Sequence, residues 1–143
     1  TQDALNWEAS AHGGNGYWVN FWYIITWWND AGVNATKLHN DIVDDVWYNN
    51  VPVVAEVDAA LLPNWKYAQG NIHHSIAIIG YDDATSMYSY IDTCGQSTGC
   101  NALQANSDGG IHTVSQTTMW NAITAVPVNK STAPNAGDGG WVW

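Results

Sequence analysis

His73-His74-Ser75-Ile76-Ala77-Ile78-Ile79-Gly80-Tyr81 is followed by Asp82-Asp83-Ala84-Thr85 and then by Met87-Tyr88-Ser89-Tyr90-Ile91-Asp92. The nearly continuous β-branched run over residues 72–81 predicts a central strand buried on both faces. Residues 82–85 have turn chemistry, and residues 87–92 return as the antiparallel partner of a hairpin. In a hairpin the beginning of one strand lies beside the end of the other. His74 and Asp92 are therefore predicted to meet at one edge of the sheet, within about 2.6–3.2 Å. There Asp92 would accept an imidazole N–H, fix the tautomer of His74 and stabilise an imidazolium, the orienter's role in a nucleophile–base–orienter set. The plainer alternative is a His and an Asp that merely end two strands near a loop.

Working outward, residues 35–49 read as a helix. Leu38, Ile42 and Val46 recur every four residues, with Val43 and Trp47 one step round, giving one apolar stripe. Asn34 is the expected N-cap, Asp41, Asp44 and Asp45 are expected on the solvent face, and Asn49-Asn50 ends the helix. Residues 52–57 predict a short strand, and a polar loop runs through Leu61-Leu62-Pro63-Asn64-Trp65. Upstream, residues 2–11 read as a short helix, residues 12–16 break it, residues 17–28 favour a buried strand although their length alone also allows a helix, and Asn29-Asp30-Ala31-Gly32 turns. Downstream, Gly109-Gly110 introduces a strand over residues 111–114. Residues 115–118 then start a helix carrying Met119, Trp120 and Ile123. The expected fold class is α+β, an antiparallel sheet with flanking helices. Residues 1–130 form one domain portion, and residues 131–143 an irregular Gly- and Trp-containing tail.

Composition narrows the function classes. Hydrophobic residues make up 46% and charged residues 11% of the 143, against roughly 25% charged on average, which excludes disorder for most of the chain. No apolar run approaches the ~18 residues of a membrane-spanning helix. Three lysines, no arginine and a net charge of −10 argue against nucleic acid and against anionic membrane surfaces. The ten tryptophans exceed what packing needs, so several are expected at the surface, against a partner, a sugar or another copy of the chain; the plainer alternative is that most are core or partly buried.

Cys94 and Cys100 are separated by a loop containing Gly95 and Gly99, which lets it curl, and no further soft ligands follow for a metal. A disulfide is predicted, and with it an oxidising, extracellular setting. A chain that opens on Thr1 with no signal peptide fits a mature, secreted protein. Asn34-Ala35-Thr36 and Asn129-Lys130-Ser131 match the N-glycosylation pattern. His73 alternates with His74 and faces the other way, so the two form no metal fork. His12, His39 and His112 lack ligand spacing, and neither zinc nor a cofactor is expected. Asp82 and Asp83 with Asp108 offer hard oxygens to calcium but lack its spaced carboxylate pattern, so solvated turn carboxylates are the default.

The run from His74 to Asp82, followed by Tyr88-Ser89-Tyr90-Ile91-Asp92, resembles the second half of papain-like cysteine peptidases of the bacteriocin-processing type. In these double-glycine leader peptidase-like proteins and their secreted actinobacterial relatives, a His–x5–Gly–Tyr–Asp strand precedes a strand ending in Asp. The amphipathic helix, Pro52-Val53-Val54 and Gly139-Gly140-Trp141-Val142-Trp143 also fit, so the resemblance covers residues 35–143. It implies a papain-like half-fold, a peptide substrate, His74 as general base and Asp92 as its orienting partner.

The family's nucleophilic Cys stands early, at a helix start, with an oxyanion Gln several residues before it. Here no cysteine precedes Cys94, and Gln2 and Gln69 lead to no such motif. A catalytic Cys needs an adjacent His and a helix N-terminus to lower its pKa. Cys94, at a strand end and inside the predicted disulfide, is a poor replacement. Ser10 lacks the strand–turn–helix setting of a nucleophilic serine. Three readings stay open. The chain is the C-terminal part of a divided peptidase completed by a Cys-bearing partner chain, or a pseudo-peptidase, or an extracellular structural subunit. In the last case exposed tryptophans hold a homo-oligomer together, with Trp141 and Trp143 either gluing copies or folding back. An uncovered sheet edge and apolar face would themselves call for a partner.

Overall fold

The computed structural model describes residues 25–65, 72–92, 110–128 and 139–142. In chain order these form β1 (Ile25–Trp27), α1 (Ala35–Ile42) running on into a π-helical segment (Val43–Asn49), and β2 (Val53–Asp58). A 3₁₀ turn (Ala59–Leu61), β3 (His73–Asp82), β4 (Met87–Asp92), β5 (Gly110–Ser115), α2 (Gln116–Thr124) and β6 (Gly140–Val142) follow. The strands make one sheet in the order β1-β6-β2-β3-β4-β5, with every neighbouring pair antiparallel. The fold is α+β, an antiparallel sheet with two helices.

The core lies on the sheet face that the helices cover. Val53, Ala55 and Val57 of β2, Ile76 and Ile78 of β3, Tyr88 and Tyr90 of β4 and Val114 of β5 alternate onto that face. Leu38 and Ile42 of α1 and Met119, Ala122 and Ile123 of α2 pack on them. Each buried aliphatic side chain of this kind contributes roughly 1.5–3 kcal/mol. On the opposite face Ser75, Ala77 and Ile79 are only half-buried, so β3 is not buried equally on both sides as its composition predicts. An antiparallel sheet with helices on one face needs only one fully apolar side.

Asn34 caps α1 as expected, its Oδ1 accepting from the Lys37 N–H at 3.0 Å, and Asn50 ends the helical run in the left-handed region at φ +55°. The acidic residues depart from expectation. Asp44 is exposed, but Asp41 and Asp45 are buried. Asp41 lies on the apolar stripe beside Leu38 and Ile42. It is matched there by Lys37 Nζ at 2.6 and 2.8 Å and by Trp141 Nε1 at 2.9 Å. Beyond Ile42 the chain winds as a π-helix, which shifts the phase of later residues. Asp45 turns inward, where Asn49 Nδ2 donates to it at 3.0 Å, and Trp47 turns outward, 68% exposed.

The tail also differs from its sequence reading. Gly140–Val142 is not irregular but a strand inserted between β1 and β2. Trp141 is 1% exposed, so it folds back into this domain and is not a contact between copies. Of the predicted strand over 17–28, the structure describes Ile25–Trp27 as β1, and Trp28 already belongs to the turn. The predicted helix over 2–11, Cys94, Cys100, Asp108, Asn129 and Trp143 lie outside the described residues. Among the described residues no helix is long and apolar enough to cross a membrane.

Insertion of β6 depends on two glycines. A Cβ on Gly139 would sit 2.2 Å from the Val126 carbonyl oxygen and 2.6 Å from Trp28 Nε1, which donates to that same oxygen at 2.8 Å. A Cβ on Gly140 would sit 2.3 Å from the Thr26 carbonyl oxygen. Gly139→Ala should therefore lower stability by roughly 1–3 kcal/mol, the range for forced overpacking. Urea unfolding would show it as a lower midpoint with an unchanged slope, and an unchanged midpoint would contradict the inserted-strand geometry.

Candidate functional site

Registers set the site. Val57 pairs with His74 across β2 and β3, and Ala77 pairs with Ile91 across β3 and β4, so His74 and Asp92 share the core face. His74 Nε2 lies 2.9 Å from Asp92 Oδ1. The His74 side chain is 12% exposed and that of Asp92 is fully buried. The separation falls within the range expected from the hairpin alone.

Two further donors reach Asp92 from the segment after β2. Asn64 Nδ2 and Trp65 Nε1 each donate to Asp92 Oδ2 at 2.7 Å. The Trp65 ring also packs on the His74 imidazole, with centroids 5.4 Å apart at 59°. Tyr90, two residues before Asp92 on the same face, donates its hydroxyl to Asn64 Oδ1. The segment carrying Asn64 and Trp65 is tied down at its start and end. Asp58 Oδ1 accepts from the Ala60 N–H at 3.1 Å and the Ile72 N–H at 3.0 Å, and the Ala59 N–H donates to the Ile72 carbonyl at 2.8 Å.

This arrangement dictates a tautomer. An ionised carboxylate only accepts, so a neutral His74 carries its proton on Nε2 and keeps a lone pair on Nδ1. Among the described residues none is hydrogen-bonded to Nδ1, which leaves that nitrogen able to take a proton. With Trp65 against the ring, the Nε2–carboxylate bond is shielded from competing water. The pair thus has the geometry of a general base and its orienting group.

No family model and no curated protein matches the chain. The chemical reading therefore rests on the geometry.

The other residues singled out in the sequence lie apart from this pair. His73 is exposed on the opposite face. His39 stands on α1 with Nδ1 3.1 Å from the Tyr88 hydroxyl and Nε2 3.3 Å from Asp83 Oδ1. His112 packs beside the Tyr90 ring and, with Pro63, Asn64, Ile111 and Thr113, lines a depression of about 370 Å³. Asp82 directs its oxygens to its own turn, accepting from the Thr85 hydroxyl at 2.7 Å and the Ala84 N–H at 2.9 Å. The Thr85 hydrogen bond holds the Asp82 carboxyl below its usual range. Among the described residues no three His, Cys, Asp or Glu side chains converge as metal ligands.

Asn64 and Trp65 were not legible as site residues, because a polar loop after Pro63 gives no partner for either. The one available signal was a tryptophan in such a loop, since a buried indole N–H needs an acceptor.

Burial pushes the Tyr90 hydroxyl well above the usual tyrosine range, and the Asp92 charge adds to it. Burial does the same to Tyr88, with Asp83 second. Unfolded tyrosine ionises at about pH 10. Above that pH the folded chain keeps phenolic protons that the unfolded chain loses, so stability falls as pH rises. Below it this contribution is fully present. The urea midpoint should therefore drop between about pH 10 and 11, and Tyr90→Phe should remove part of the slope. A midpoint that stays level over that interval would contradict the burial of these hydroxyls.

Proposed function

We propose that this chain carries the base portion of a papain-like cysteine-peptidase site, acting on a peptide bond once a partner chain sets a thiol against His74. Without that thiol the same fold is a pseudo-peptidase. The observation that supports the reading most is the 2.9 Å approach of His74 Nε2 to Asp92 Oδ1, which leaves Nδ1 as the basic atom. The only cysteines, Cys94 and Cys100, follow Asp92 in the sequence.

In the proposed reaction Nδ1 takes the thiol proton, and the thiolate sulfur forms a bond to the peptide carbonyl carbon. The imidazolium returns the proton to the leaving amine as the C–N bond breaks, giving a thioester and a free amine. Water then attacks the thioester while Nδ1 removes its proton, and the thiol leaves re-protonated. Asp92 keeps its charge throughout, holds the ring and stabilises each imidazolium. Positioned general-base catalysis of this kind contributes about 10²–10⁴-fold.

A peptidyl chloromethyl ketone tests the base directly. Nδ1 displaces chloride and forms an N–C bond, which peptide mapping locates. His74 should be alkylated faster than the exposed His73, and Asp92→Ala should abolish that preference. Preferential labelling of His73 in the native chain would sink the proposal.

A further inference from the structure

The hydrogen bonds behind Asp92 run in one direction. The Tyr90 hydroxyl donates to Asn64 Oδ1, Asn64 Nδ2 donates to Asp92 Oδ2, and His74 Nε2 approaches Asp92 Oδ1 from the other side. The carboxylate determines which way the Asn64 amide points, because turning it over would set Oδ1 against a charged oxygen. That orientation leaves Oδ1 facing Tyr90, which can meet it only by donating. Asn64 is 3% exposed and Tyr90 fully buried, so water does not readily replace either partner.

We infer that Tyr90 and Asn64 are positioning residues for the His74–Asp92 pair, Tyr90 acting on the imidazole through the Asn64 amide and the Asp92 carboxylate. The inference rests on the base role proposed for His74. Neither residue is placed against the reacting atoms. Tyr90 holds Asn64, Asn64 with Trp65 holds Oδ2, and the carboxylate plane so fixed aims Oδ1 at Nε2. Losing the Tyr90 hydroxyl removes one donor from a buried amide oxygen, and the resulting mobility of Asn64 passes to the carboxylate.

The test is hydrogen exchange of the His74 Nε2–H, followed by NMR together with urea unfolding of the same samples. In the native chain this proton should exchange slowly. Tyr90→Phe should speed its exchange about tenfold, the effect of one lost hydrogen bond, by more than the change in global stability accounts for. In an Asn64→Ala background Tyr90→Phe should add nothing, whereas in a Trp65→Phe background its effect should persist. Unchanged exchange in Tyr90→Phe, or an effect equally large with and without Asn64, would overturn the inference. A native Nε2–H that exchanges at the solvent rate would overturn the base reading itself, which separates the two failures. The native chain supplies a check that needs no variant. The Tyr90 hydroxyl proton should exchange slowly and lie close to the Asn64 side chain, and rapid solvent exchange of that proton would also overturn the inference.

Discussion

A carboxylate taken out of water is costly unless hydrogen bonds meet it, and Asp92 imposes that requirement at the end of β4, on the core face of the sheet. At least three donors answer it, from His74, Asn64 and Trp65, and they come from three places in the chain. To bring them together the β3–β4 register must be correct, since a slip of one residue would turn Asp92 to the other face. The segment after β2 must also be closed, which Asp58 achieves by bonding the backbone on both sides of it. The local geometry around His74 follows from satisfying one buried charge.

Asp41 repeats the arrangement on the same face of the sheet, beneath α1 and beside β6. Lys37 from its own helix and Trp141 from β6 meet this second buried carboxylate, which ties α1 to the inserted strand. The two sites differ in what faces the carboxylate. Asp41 is matched by groups without a free basic atom, a lysine ammonium and an indole N–H, which suits a structural fastening. Asp92 is matched in part by an imidazole, whose second nitrogen is bonded to none of the described residues.

The hairpin and its His–Asp meeting were legible because both follow from local pattern: β-branched runs, a turn between them, and the antiparallel rule. The helix N-cap at Asn34 was legible for the same reason. What the sequence hid depends on contacts between distant segments. Asp41 and Asp45 look like solvent residues until Trp141 and a π-helical winding place them inside. Gly140-Trp141-Val142 looks like the end of an irregular tail until β1 and β2 are seen to leave a place for a strand, entered through two positions, Gly139 and Gly140, that have no room for a Cβ. Asn64 and Trp65 look like loop residues because their partner lies 28 and 27 positions away, respectively. Peptidase chemistry extends beyond these contacts, since it needs a thiol that the sequence does not place before His74.

The proposed base role of His74 requires a single neutral tautomer, protonated on Nε2 and bare on Nδ1. Long-range proton–nitrogen correlation NMR reads the two ring nitrogens separately. At a pH where the ring is neutral, His74 should give one species with Nε2 in the protonated range and Nδ1 in the unprotonated range, a state that Asp92→Ala turns into a mixture. A native His74 that carries its proton on Nδ1, or that averages between tautomers, would contradict that role.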